Sequence, residues 1–180
     1  MTRAFTIGHS THSLDEFVEL LHLHGVERVA DVRVAPYSRR HPQFNRESLA
    51  NQLRERGIDY RHLPALGGRR RPRQDSLNAG WQEKGFRGYA DYALTSEFAE
   101  GFDELCALAV ERPAAVMCAE ALWWRCHRRL IADRLTALGW SVCHIAPDGR
   151  LAEHELPSFA VVEADGTLRY PPQQGELPGL

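Results

Sequence analysis

Residues 4–32 read AFTIGHSTHSLDEFVELLHLHGVERVADV, and this stretch sets the architecture. Ala4 to Gly8 is short and mostly apolar, as a buried strand requires. Ser13 then opens a helix: Glu16 follows it at capping-box spacing, and Phe17, Leu20, Leu21 and Leu23 recur until Gly25 stops the run. Val26 to Val32 is a second strand. A strand, a capped helix and a strand in immediate succession make a βαβ unit, whose strands lie parallel beneath the helix.

The alternation continues downstream. Asn45 stands as cap before Arg46–Arg56, where Leu49 and Leu53 share one face and Gly57 ends the helix. Ile58 to Leu63 reads as a third strand. Pro64 to Gly88, with five glycines and an arginine run, reads as one long irregular connection of the kind that is usually functional or disordered. A helix over Tyr89–Glu111 follows, then a fourth strand over Pro113–Met117, a helix over Cys126–Leu138 and a fifth strand over Trp140–Ile145. Phe159 to Tyr170, turning at Asp165-Gly166, is a hairpin, and the tail PPQQGELPGL from Pro171 is expected to fray. The predicted fold is α/β: a three-layer open, mostly parallel sheet of about five strands with helices on both faces, plus a C-terminal β-hairpin. Residues 1–150 form the α/β domain and 151–180 an accessory hairpin and flexible tail.

Composition narrows the classes. A chain of 180 residues, 43% hydrophobic and 26% charged, fits one globular domain and excludes a disordered chain or a disulfide-packed miniprotein. It contains neither a run of about eighteen apolar residues nor a secretory segment, so a cytoplasmic protein without a membrane partner is expected. Cys106, Cys118, Cys126 and Cys143 are then reduced thiols. The net charge of −2 conceals an asymmetry, because Arg28–Arg73 carries +8 and the remainder −10. Lys84 is the single lysine among 22 basic residues, so the positive charge is almost wholly guanidinium, a planar fork suited to phosphate and carboxylate.

In open parallel sheets ligands gather outside the carboxyl ends of the strands. The first strand ends in His9 and Ser10, the second in Asp31 and Arg33, with Ser38 and Arg39 close behind. The third leads to Gly67 and Gly68, the fourth to Cys118 and Glu120, and the fifth ends in Cys143-His144. Cys126, His127 and Arg128 open the following helix, whose positive end and nearby guanidinium groups favour a thiolate. Cys118 or Cys126 is therefore the candidate nucleophile, His127 the base and Glu120 an orienter or acid/base group. His9, Ser10, Asp31, Arg33, Ser38, Arg39, Gly67, Gly68, Arg128 and His144 are candidate substrate contacts. Plainer readings stand beside these: polar residues at strand ends also serve as helix caps, buried cysteines pack as small hydrophobes, and Asp31 with Arg33 is a ready-made ion pair. Cys106 and Cys143 read as core, and His22, His24 and His154 as surface or packing residues. The arginine run from Arg69 to Arg73 is either a phosphate cradle or a solvated loop. Trp81, Trp123, Trp124, Phe86 and Tyr89 offer stacking surfaces for a base. Cys118, Cys126, His127 and His144 are an alternative ligand set for a metal, although no CxxC, HExxH or HxxxH spacing supports one.

Taken in order, Thr6-Ile7-Gly8-His9-Ser10, Asp31-Val32-Arg33 with Pro36 and Ser38-Arg39, Leu66-Gly67-Gly68, Gly88-Tyr89-Ala90, Cys118-Ala119-Glu120 and Cys126-His127-Arg128 carry a resemblance. Over Phe5–Gly149, about four-fifths of its length, the chain resembles the bacterial and archaeal family known as domain of unknown function 488. The resemblance implies an α/β domain with these motifs on one sheet edge, and no activity. The Trp123-Trp124 linker, where proline sometimes stands, and everything after Gly149 depart from it. Two functions follow from the residues: a thiol- or acid/base-dependent hydrolase or transferase acting on a phosphate-bearing nucleotide or nucleic acid, or a non-catalytic module that binds the same partners. Metal binding is the third. No cofactor and no oligomeric state is implied.

Overall fold

Strand β1 (Arg3–Gly8) lies inside the sheet, paired in parallel with β4 (Ala114–Cys118) on one side and β5 (Ser141–Ile145) on the other. Beyond β4 follow β2 (Arg28–Asp31) and the edge strand β3 (Asp59–His62), also parallel. A sixth strand, β6 (Leu151–Glu153), closes the far edge antiparallel to β5 and gives the order β3-β2-β4-β1-β5-β6. The computed structural model describes residues 1–173. The inner strands read as unbroken apolar runs because both of their faces are covered. In β4, Ala114 to Met117 are all buried.

Helices α1 (Leu14–Leu23) and α2 (Arg46–Glu55) cover one face, where Phe17, Leu21, Leu49 and Leu53 meet Phe5, Ile7, Val29, Ala115 and Met117. On the other face α3 (Lys84–Tyr92), α4 (Ser96–Glu111) and α5 (Arg128–Ala137) pack Tyr89, Phe98, Leu105, Ile131 and Leu135 onto Ala30, Val32, Val116 and Val142. The predicted three-layer α/β architecture is thus present. The capping box at Ser13 is formed on both sides, Ser13 Oγ accepting from the Glu16 amide at 3.1 Å and the Glu16 carboxylate from the Ser13 amide at 2.8 Å.

Several boundaries differ. The single helix expected over Tyr89–Glu111 is two, because the chain turns at Ala93–Thr95 and Thr95 Oγ1 caps α4 by accepting from the Phe98 amide. Helix α3 begins at Lys84, so the irregular connection is shorter than its composition implied. Asn45 precedes α2 but caps another segment, its Oδ1 accepting from the Ser38 amide at 2.6 Å. The C-terminal hairpin is present as β7 (Val161–Val162) and β8 (Leu168–Arg169), and Leu168 and Tyr170 are buried in the main core. Residues 174–180 of the expected tail lie outside the described residues. Among the described residues no helix is long and apolar enough to cross a membrane.

Candidate functional site

The connections leaving β1 and β4 diverge to opposite faces, β1 toward α1 and β4 toward α5. That divergence between neighbouring strands is the switch point at which open α/β sheets collect ligands. Gly8 pairs with Cys118 there, and the strands continue past their ends: the His9 amide donates to Cys118 O at 2.9 Å and the Ser10 amide to Ala119 O at 3.0 Å. Gly8 has to be glycine, since a Cβ would lie 1.9 Å from the Glu120 carbonyl oxygen. Ser10 turns the chain with φ 46°, in the left-handed region. The other non-glycine residue in that region among those described is Arg69, immediately after Gly68 on the same edge.

Cys118 ends β4 and Cys126 precedes α5, and with His127 they place two Sγ atoms and an imidazole nitrogen within 4.8 Å of one another. Cys126 Sγ and His127 Nδ1 are 3.7 Å apart. The His127 ring lies 5.1 Å from that of Tyr89 and against Gly68, where a Cβ would come within 2.8 Å of Nδ1. The hydrogen bond from the Cys126 thiol, together with His127, drives the Cys118 thiol far below its ordinary range. Cys126 is correspondingly held protonated, first by that same bond and then by burial. All four cysteines are free. Burial lifts Cys106 to about 11, and Cys143 sits in the core on the opposite face.

The remaining candidates do not converge on the thiols. Asp31 is fully buried and saturated: Oδ1 accepts from the Arg33 amide and Nε, Oδ2 from Arg33 Nη2 at 2.7 Å and Tyr60 Oη at 2.6 Å. Arg33 also donates to Phe44 O and to His9 Nε2, which makes His9 Nδ1 the donor to Ser10 O. Its donors are taken up inside the protein, an arrangement that locks β1, β2 and β3 together. Burial, then Arg33, lowers His9 to about 4, so it is neutral at physiological pH. Arg128, 1% exposed, donates to Glu120 O at 2.6 Å and Ala121 O at 3.1 Å and so shapes the loop between the two cysteines. Glu120 is exposed, its carboxylate accepting from the Leu122 amide. Ser38 Oγ accepts from the amides of Arg40 and His41, and Arg39 is exposed. Gly67 packs on Val34. A concavity of about 520 Å³ beside β3, lined by Arg46, Asn51, Tyr60, Arg61, His62 and Glu104 among others, contains none of the candidates.

His144 is turned inward. His154 Nε2 donates to Asp133 Oδ1 at 2.7 Å, so its Nδ1 accepts from His144 Nε2 at 2.9 Å, and His144 Nδ1 accepts from Thr6 Oγ1 at 2.7 Å. Both nitrogens of His144 are engaged, which removes it from the metal-ligand set considered with Cys118, Cys126 and His127. Trp123 stacks on its ring at 4.0 Å, leaving Trp124 as the exposed indole. Trp81 and Tyr89 are buried and packed, hence not available to stack on a base. The arginine run divides: Arg70 lies 3.6 Å over the Tyr92 ring, while Arg69 and Arg71 are exposed. Sequence reasoning missed Tyr60, which saturates Asp31 and which nothing local marks; of the two readings given for His154, surface or packing, the structure has it buried.

Fold and cluster together define an α/β domain with a Cys/Cys/His constellation at its carboxyl edge. The chain belongs to the family described as Domain of unknown function DUF488, which it matches over residues 13–135. Neither the curated proteins nor the solved structures yield a match.

Proposed function

We propose that the protein is a thiol-dependent enzyme, a hydrolase or transferase acting on a phosphate-bearing nucleotide or nucleic-acid substrate, with Cys118 as nucleophile. The observation that carries this reading is the gathering of two thiols and an imidazole within 4.8 Å at the sheet's switch point. Cys126 and His127 beside it favour the Cys118 thiolate, and the helix N-terminus adds a positive field. The thiolate sulfur bonds to the electrophilic centre as the bond to the leaving group breaks, and His127 or Glu120 supplies the proton that leaves with it. Arg69 and Arg125, exposed and each next in sequence to a residue of the site, suit an anionic substrate.

Alkylation by iodoacetamide tests the nucleophile. Labelling of Cys118 is expected to hold nearly level from about pH 8 down to about pH 6, where an ordinary thiol slows roughly 80-fold. Cys118→Ser removes the label and His127→Ala restores an ordinary pH dependence. Labelling that begins only on unfolding rejects the reading.

The same cluster supports a second reading, since Cys118, Cys126 and His127 are three of the four ligands a soft cation such as Zn²⁺ takes, leaving one position open. Stoichiometric zinc in the purified protein that disappears in Cys118→Ser establishes it; absence of metal by elemental analysis discards it.

A further inference from the structure

A thiolate nucleophile needs a polar neighbour, which a serine, an amide or an imidazole supplies as well as a thiol does; here one neighbour is a second cysteine. The two sulfurs lie on segments anchored independently. Cys118 is held by β4 and by the His9 amide, and Cys126 by the short turn over Trp123–Arg125, its own amide donating to Trp123 O at 3.1 Å. Their separation, within 4.8 Å, exceeds a disulfide bond by roughly 3 Å at most. Cys106 and Cys143 have no such neighbour: one lies on α4 and the other on the opposite face of the sheet. His127 Nδ1, 3.7 Å from Cys126 Sγ, is placed to take that thiol's proton.

We propose that Cys118 and Cys126 are a reversible dithiol–disulfide pair that exchanges with low-molecular-weight disulfides, Cys118 attacking and Cys126 resolving, so that oxidation withdraws the nucleophile. The inference rests on the thiolate reading of Cys118. In the first step Cys118 Sγ⁻ bonds to one sulfur of R–S–S–R and the S–S bond breaks, releasing RS⁻. In the second, Cys126 passes its proton to His127, its sulfur bonds to Cys118 Sγ, and the departing thiolate takes that proton and leaves as RSH. Two electrons pass from the protein thiols to the disulfide, and no other oxidant is involved. Cys118 is partly accessible to an entering disulfide while Cys126 is buried behind it in the pair, which gives the direction of attack.

The test uses the full chain, treated with a chelator and titrated near neutral pH with oxidised glutathione, followed by intact mass and thiol counting. The parent chain is expected to lose two of its four thiols without retaining glutathione, to yield a linked pair of peptides containing Cys118 and Cys126, and to recover fully in dithiothreitol. Cys126→Ser is expected to trap one glutathione on Cys118, and Cys118→Ser to take up none on Cys126. A stable glutathione adduct on Cys118 in the parent chain overturns the resolving role and leaves the nucleophile standing. Absence of any adduct or linkage, with level alkylation of Cys118 intact, overturns the pair alone; absence of both reactions overturns the pair and the nucleophile together.

Discussion

At Gly68 the backbone passes so close to His127 that a single methyl group is a probe of the site. An added Cβ lies 2.8 Å from Nδ1 and 3.0 Å from Cγ, so the imidazole has to shift, and with it the partner of Cys126 and Cys118. Gly68→Ala is expected to cost about 1–2 kcal/mol of stability, as overpacking does. It should also give Cys118 alkylation a steeper dependence on pH; a melting temperature and a labelling profile read the two effects separately. Glycine is needed at Gly8 and Gly88 for a different reason, since there an added Cβ meets backbone, Glu120 O at 1.9 Å and Arg70 O at 2.2 Å. These contacts give a steric account of three of the glycines in the motifs.

At the scale of elements, the segment after β5 is tied into the domain by polar groups. Asp133 on α5, fully buried, accepts from His154, just past β6, and from Tyr170 Oη at 2.7 Å, just past β8. The Tyr170 amide in turn donates to Asn78 Oδ1, and Asn78 Nδ2 donates to Asp91 on α3. One carboxylate thus joins α5, β6 and the hairpin, and the chain of bonds runs on through His144 to Thr6 in β1. Tyr170→Phe keeps the ring and removes one of two donors to a buried carboxyl group. The expected loss is about 1–3 kcal/mol, measured as a lower urea midpoint with an unchanged slope.

For the whole molecule the buried histidines set a response to acid. His9 is lowered from 6.5 to about 4, by burial and then Arg33, and His144 to about 3, by burial and then His154. Unfolded histidines bind a proton near 6.5 and the folded ones do not, so between these values the unfolded chain holds more protons. The stability they contribute is therefore complete above about pH 6.5 and drains away as the pH falls toward about 4 and below. Urea unfolding at about pH 7 and about pH 5 is expected to show this loss, and His9→Gln to flatten part of it; an unchanged slope in that variant rejects the assignment.

Local rules were enough for the layers. Capping-box spacing, glycine stops and short apolar runs depend on neighbours in the chain, so the parallel sheet, α1 and the hairpin were legible from residues alone. β6 was not, because Leu151, Ala152 and Glu153 are all exposed and carry no alternation; only pairing with β5 makes them a strand. The same limit divides the site. The strand ends point to one edge by pattern, and the ion pair of Asp31 with Arg33 follows from a two-residue period. That Arg33 donates inside the protein and both Arg128 Nη atoms donate to the Glu120–Ala121 backbone, that His144 faces inward, and that Cys118 meets Cys126 and His127 depend on where separate segments come to rest. Sequence spacing determines which residues can share a strand edge or a helix face; tertiary packing decides which of them touch, because donors and thiols find partners by distance in space.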